Sequence, residues 1–579
     1  MISGAASGTA AEPAAAAAPT AAAEDPCPEP FPLAAVTEGM PVTGLTVSHG
    51  REPDEITGEI VNVLEDGIAP GVDMIVARMA GSEITDPETG KPWRGIWAGM
   101  SGSPVYAPDG RLIGAVSYGF SYSPSDYAGI TPAEEMYNVR NYASGVQAKR
   151  TVKVPAKTAN QMEAEGGVSE RQIDSGFHRL QVPIAVSGVS ERRLHRTAKK
   201  ADHPTRRLVA GPGARASEEP IPVTAGGNLA ASLSFGDYSQ VGTGTATAVC
   251  DNGTLGFGHP MLFGGKSTMS MHGAHALFIE TDQFDGSYKI ANPGAPIGQI
   301  TEDRLAAILG VEGQTPKATM YNSNISATNG KQRDGSTTLT QKFFPDDIAW
   351  VGAMHFLVNA DSVFDQIGGG TGEVNWTVEL DRANGSTVTY RGGDVFASPG
   401  DLTFTALWDL YDDLYRIDTN RFEKVTVTNV TERASLDDEF HAYRLGVVQR
   451  RSGGEWRNLK PGSVIRAKAG SKLVLRTRLL PRNDSAGSAT WRRLVVPVGS
   501  ALAGRSGPLV VSGGASTFNP GKVSSLPQLL NKMRRDPAND RVFAKLRINR
   551  PNRNFIRRDN APAPSHTQGS KWFHVRVRS

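Results

Sequence analysis

Short apolar runs closed by turn signals recur along this chain from about Leu33 onward, and they limit what it can fold into more than any other feature. The first such runs are TGLTVSHG, EITGEIVNVLEDG, GVDMIVARMAG and GIWAGMSGSPVYAPDGRLIGAVSYG. Apolar and polar residues alternate in EIVNVL and RLIGAVSY, and Pro108-Asp109-Gly110 separates two apolar runs, as in β-hairpins of a barrel or sandwich. Gly (64) and Pro (37) make up 101 of 579 residues, which argues against a helical bundle or coiled coil. At about 150 residues per domain the length suggests three or four units, each able to bury a core. No uninterrupted apolar stretch reaches the roughly 18 residues of a spanning helix.

The same signals divide the chain. Residues 1–35 are Ala/Pro-rich and are expected to be disordered. A β unit over 36–145 is expected to close on a helix in GITPAEEMYNVRNY, with Thr131 as N-cap and Pro132 at the first helical position. Residues 146–224, with ERRLHRTAKKADHPTRR at the centre, read as a basic, Pro-containing linker where nicking would concentrate. A second β unit over 225–335 carries the alternating TGTATAV run and an Asp251-Asn252-Gly253 turn, and TEDRLAAILG near its end reads as a short helix stopping at Gly310. Residues 336–500 read as one or two β-sandwich-like modules. Lys472 to Leu479 alternates, with Leu473 and Leu475 on one side, and the exception is DLTFTALWDLYDDLYRI at 401–417, whose spacing suits a helix. Residues 501–579 read as a basic C-terminal region with one short helix.

The net charge of +2 hides a division. From His441 to Ser579 there are 28 Lys+Arg against 5 Asp+Glu, about +23, and the remainder holds 33 against 54, about −21. A basic end on an acidic body points to an anionic partner such as a wall polymer or a membrane surface, or to the two parts facing each other. Asn549 to Arg558 and Lys571-Trp572-Phe573-His574 interleave basic and aromatic residues, but no helix-turn-helix, zinc-finger or RNA-binding signature accompanies them, so no specific nucleic-acid partner is expected. IGGGTGE at 367–373 lacks the Lys-Ser/Thr of a phosphate loop. Cys27 and Cys250, the two cysteines, can make one bridge in an oxidising compartment. The first 30 residues lack a basic n-region and a Leu-rich h-region, so a signal peptide is incomplete in this sequence. An extracellular or envelope-associated location is the expectation from composition.

The chemistry concentrates in two short strings. Gly99-Met100-Ser101-Gly102-Ser103-Pro104 places a serine on a tight glycine-flanked turn, with room for a substrate backbone and with the N–H groups of Gly99 and Ser101 able to converge as an oxyanion hole. A serine needs a base, and His259 in Gly256-Phe257-Gly258-His259-Pro260 is the candidate, at the end of a strand in the second β unit. The S1 wall would come from residues near Ser101 and from the strand around Ser117 to Phe120.

These strings resemble the SpoIVB-type serine peptidases, the sporulation stage IV family. Ser101 matches the nucleophile of that family's G-M-S-G-S-P string, and Gly242-Thr243-Gly244-Thr245 leading to Gly258-His259 matches the strand and base. The resemblance covers about residues 36–145 and 225–330. It implies a mainly β, chymotrypsin-like double β-barrel, here followed by the sandwich modules, and a serine endopeptidase that acts on protein or peptide without a cofactor or metal. The order of the two lobes is permuted, because in the sporulation members the His segment precedes the Ser segment. No PDZ module or membrane anchor is recognisable, and a role in sporulation is not implied. The family's acidic residue in an I-T-D-P context corresponds to Asp86 in Ile84-Thr85-Asp86-Pro87, with Asp282 and Asp285 as substitutes. The linker between the lobes is a plausible self-cleavage site. Two other readings stay open: a catalytically inactive, peptidase-like surface protein, and a metal site built from Cys250, His259, His272 and His275, whose spacing fits no common zinc motif.

Overall fold

A computed structural model describes residues 27–579 except 123, 142–148, 181, 183, 205–207, 211–218, 282–285, 483–484, 486, 515–522, 536 and 549–554. The chain is mainly β, as the turn-punctuated alternation requires.

Six antiparallel strands close the first barrel, here called the serine barrel. In spatial order they are Pro104–Tyr106, Pro41–Thr46, Asp54–Ala69, Val72–Gly81, Tyr127–Pro132 and Leu112–Gly119, which pairs back onto Pro104–Tyr106. Closure removes the sheet edges and buries Ile56, Ile75, Val105, Val116 and Ile130 inside. Six further antiparallel strands close the histidine barrel: Asn228–Gly236, Ser239–Cys250, Gly253–Gly256, Ile308–Glu312, Gly298–Asp303 and Gly265–Glu280, which returns to Asn228–Gly236. The double barrel is thus present, with the serine lobe first in the chain.

Beyond it the sheet continues. Gln332–Leu339 pairs with Asn228–Gly236, and Thr319–Ala327, Val425–Asp437, Gly370–Arg382 and Thr387–Ser398 follow in that order. Two helices, Asp347–Phe364 and Leu402–Asp418, pack on this sheet. The second is the helix expected at 401–417, capped by the Asp401 side chain accepting from Phe404 N–H. The first departs from the all-strand reading of this region. It is buried on nearly every side, so its apolar residues show no amphipathic period. The β-sandwich proper lies in the last part of the chain, where two five-stranded sheets face each other across Val448, Leu475, Leu494, Leu509, Leu546 and Phe573.

Several local expectations are corrected. Thr131 is not a helix cap: it lies in the strand Tyr127–Pro132, and Pro132 is the N-cap of the helix Ala133–Asn138. TEDRLAAILG is not a helix. Its ends belong to the paired strands Gly298–Asp303 and Ile308–Glu312, because Ile300 and Ile308 both point into the barrel core and burial outweighs helical spacing. Residues 146–224, read as a linker, carry ordered elements. Thr151–Val152 and Phe177–Arg179 extend the serine-barrel sheet, and Ile184–Ser187 and Leu208–Ala210 extend the other. The basic centre forms the helix Glu191–Ala201, whose Arg193 is buried between Asp361 and Asp401 at 2.7 Å each. Arg193 and Arg196, which also pairs with Asp401, match carboxylates of the acidic body, which the local composition could not show. Residues 501–579 are likewise no separate region: four of the five strands of one sandwich sheet come from them. Residues 1–26 of the expected disordered N-terminus, and much of the basic run 549–558, fall outside the described residues.

Candidate active site

The seam between the two barrels is built around the turn that carries Ser101. Gly99 (φ +105°) and Gly102 (φ +99°) flank it in backbone conformations that L side chains rarely adopt. A Cβ on Gly102 would sit 1.9 Å from the Thr245 carbonyl oxygen, so glycine is also required by the approach of the second barrel. The strand Ser239–Cys250 of the histidine barrel clamps the turn. Thr245 N–H donates to the Ser101 carbonyl at 2.8 Å, Thr245 Oγ1 donates to the Gly99 carbonyl at 3.0 Å, and Thr247 Oγ1 donates to the Gly102 carbonyl at 2.7 Å. Gly244 leaves room for the Ser101 carbonyl, which would lie 2.9 Å from a Cβ there. The physical content of the G-T-G-T string is therefore a strand that grips the serine turn of the other barrel.

His259 follows the strand Gly253–Gly256 through Phe257 (φ +70°) and Gly258 (φ +66°). A left-handed phenylalanine is strained, and it persists here with its side chain fully buried in the core. The Gly258 carbonyl accepts from Thr131 Oγ1 at 2.6 Å, and Thr131 lies 2.7 Å from Ser117 Oγ. Thr131 thus ties the histidine turn to the serine barrel, a role that its reading as a helix cap concealed. The Ser117 side chain is engaged in the same network, and the strand Leu112–Gly119 is buried along its whole length.

These two turns bring Ser101 Oγ to 2.8 Å from His259 Nε2. His259 Nδ1 lies 2.9 Å from the Pro260 carbonyl oxygen. A carbonyl only accepts, so Nδ1 carries a proton, and in the neutral imidazole Nε2 is the acceptor for the Ser101 hydroxyl. Ser101 is 0 % and His259 1 % exposed. Among the described residues, neither Gly99 nor Ser101 donates its backbone N–H to another protein group, and both residues are buried. Lys289 runs alongside: its Cβ would be 2.7 Å from a Cβ on Gly99, and its Nζ donates to Asn228 Oδ1 at 2.8 Å. Burial pushes its pKa down to about 7, opposed by the charge of Asp54.

The Asp86 carboxylate bonds within its own turn. Its Oδ1 accepts from Thr89 N–H at 2.7 Å, Thr89 Oγ1 at 2.9 Å and Glu88 N–H at 3.0 Å, all within its own exposed turn. Those bonds, led by the one from Thr89 N–H, hold its carboxyl below the usual range. Its carboxylate serves an Asx-type turn. Asp282 and Asp285 lie outside the described residues. The Cys250, His259, His272, His275 set is dispersed. Cys250 is disulfide-bonded to Cys27, and His272 sits between Ser232 Oγ at 2.8 Å and the Gly294 carbonyl at 2.9 Å. The group of possible ligands that does come together among the described residues is His203, Asp346 and Asp347. There His203 Nδ1 lies 2.9 Å from Asp346 Oδ2, and Asp347 Oδ2 accepts from the N–H groups of Phe343 and Phe344, a side-chain pair and a helix-entry turn.

Fold and site together define a double-β-barrel protein with a buried Ser–His pair at the barrel seam. No family model, curated protein or solved structure matches this chain.

Proposed function

We propose that this chain is a serine endopeptidase of the SpoIVB type. The observation that carries the reading is the 2.8 Å contact between Ser101 Oγ and His259 Nε2, made by two glycine-flanked turns from separate barrels. Ser101 Oγ attacks the scissile carbonyl while His259 Nε2 takes its proton. The imidazolium then returns that proton to the leaving amine, and water hydrolyses the acyl-enzyme by the same route. The N–H groups of Gly99 and Ser101, which donate to no other protein group among the described residues, supply the oxyanion hole. Because both side chains are shut off from solvent, a polypeptide reaches Oγ only after a covering segment moves. No cofactor enters this chemistry. The Cys27–Cys250 disulfide fits an extracellular or envelope location.

The burial of the pair also favours a second reading, a peptidase-like surface protein that binds peptide or an anionic polymer. Its basic sandwich exposes Trp572, 60 % accessible, beside Lys571. The two readings separate on an unfolded protein substrate followed by mass spectrometry of new termini. The peptidase cleaves it and the Ser101→Ala variant does not. A wild-type protein that cleaves no faster than the variant, with both folded, supports the binding protein.

A further inference from the structure

One sheet of the terminal sandwich carries the strands Glu455–Leu459, Ala442–Ser452, Lys472–Pro481 and Thr490–Pro497, in that spatial order. Side chains alternate across a strand, so Leu475, Thr477 and Leu494 are buried while Arg476, Arg478, Trp491 and Arg493 face outward. Arg476 Cζ lies 4.4 Å from the ring centre of Trp456 and 4.3 Å from that of Trp491, and its Nε donates to Gln449 Oε1 at 2.6 Å. Gln449 is held in turn, its amide donating to Asn458 Oδ1 at 2.7 Å. The guanidinium is therefore fixed by two indoles and one amide, yet among the described residues its Nη1 and Nη2 groups donate to no protein acceptor. Arg493 stands directly opposite Arg476 on the next strand, and Arg478 follows two positions along. Like charges directly opposite destabilise a sheet. Glu455, the one acidic residue on these four strands, pairs with Arg457 at 3.7 Å and neutralises neither arginine.

We propose that this outer face is a binding site for an anionic polysaccharide, with Arg476 gripping one carboxylate or phosphate group of the polymer. The guanidinium fork matches either group with two parallel N–H bonds. A side chain that is already clamped loses little rotamer freedom on binding, so less of the interaction is spent on ordering it. Successive outward positions on a strand lie about 7 Å apart, and opposite positions on neighbouring strands about 5 Å. Arg476, Arg478 and Arg493 thus form a patch that meets several charges of one polymer chain, where a small ion would meet one. The polymer's anions also relieve the repulsion between Arg476 and Arg493. Both indoles give a face to Arg476, which argues against base stacking and so against single-stranded nucleic acid as the occupant. The Cys27–Cys250 bridge fits an oxidising compartment, which favours an extracellular polysaccharide over nucleic acid in general. The site goes beyond the peptidase reading and stands whether or not Ser101 is a nucleophile: it tethers a peptidase to the polymer, or it is the binding function itself.

The test titrates full-length protein with polygalacturonate, which carries carboxylates, and with phosphomannan, which carries phosphates, beside DNA and phosphatidylserine vesicles at the same ionic strength. At least one polysaccharide is expected to bind, and to bind more tightly than DNA or vesicles. Arg476→Lys keeps the charge but removes the fork, and is expected to weaken polysaccharide binding by about tenfold or more. Arg466→Gln removes one charge from the outer face of the other sandwich sheet, and is expected to leave binding within about twofold of wild type. Where Arg476→Lys fails to fold, the exposed pair Arg478→Gln and Arg493→Gln, made together, carries the test with the same expected loss. The proposal is overturned by absence of binding to both polysaccharides, by tighter binding to DNA or vesicles, or by a folded Arg476→Lys that binds as wild type does. Ser101→Ala is expected to bind polysaccharide like wild type. A serine probe that fails to label wild-type protein therefore counts against the peptidase reading alone, and missing polysaccharide binding counts against this inference alone.

Discussion

Ser101 Oγ and His259 Nε2 lie 2.8 Å apart although 158 residues separate them in the chain and each belongs to its own closed barrel. Their distance is set by how the barrels dock, and specific backbone and side-chain bonds cross between them.

Thr245 and Thr247 are the first test of that docking. Each hydroxyl satisfies a buried carbonyl of the serine turn, so Thr245→Val and Thr247→Val should each cost about 1–3 kcal/mol in denaturant melts. Both should slow labelling of Ser101 by a fluorophosphonate more than the stability loss alone explains, because the turn is released.

Glycine at 102 should be irreplaceable where glycine at 110 is not. Both have positive φ, but a Cβ at 110 meets nothing within 4 Å, whereas at 102 it would meet the Thr245 carbonyl at 1.9 Å. Gly110→Ala is expected to cost about 1 kcal/mol from backbone strain. Gly102→Ala should cost several times more and abolish labelling, read by thermal melts and by adduct yield.

Asp86→Asn should leave the chemistry unchanged. Its carboxylate is bonded within its own turn, so the rate of fluorophosphonate labelling should stay within about twofold of wild type. A loss of several orders of magnitude would restore Asp86 to the triad.

Lys289 gives a pH dependence with a definite sign. Burial lowers its folded pKa to about 7, whereas an unfolded lysine holds its proton to about 10.4. Between these values the unfolded chain binds more protons, so this residue makes stability rise with pH from about 7 to about 10 and adds no slope below 7. Lys289→Met should remove that rise in melting temperature measured across the window.

The Cys27–Cys250 bridge closes a loop of 223 residues. Replacing both cysteines by serine should destabilise the protein by roughly 3–5 kcal/mol on the loop-closure argument, measured by denaturant unfolding.

Much of this was legible in the sequence, for physical reasons that also mark where legibility ends. The hairpins of both barrels show in alternation and turn residues, and the glycines around Ser101 and His259 announce turns that only glycine tolerates. The helix Leu402–Asp418 keeps one polar side, so its period is visible. The helix Asp347–Phe364 is buried all round and has none. Thr131 and Thr247 are ordinary strand residues locally, and their parts in the seam arise from partners 127 and 145 positions away. A motif search finds a nucleophile and a base because their turns are constrained locally. The string that suggested Asp86 folds as a turn in which its carboxylate accepts from Thr89 and Glu88, and Asp282 and Asp285 lie outside the described residues.

The most direct test of the account is the site of covalent labelling. Full-length protein is treated with a fluorophosphonate, digested and mapped by mass spectrometry, beside Ser101→Ala and His259→Ala variants shown to be folded. The account predicts a single adduct on Ser101 in wild type, none in Ser101→Ala and a rate reduced by several orders of magnitude in His259→Ala. An adduct elsewhere, or equal labelling of wild type and Ser101→Ala, would contradict it.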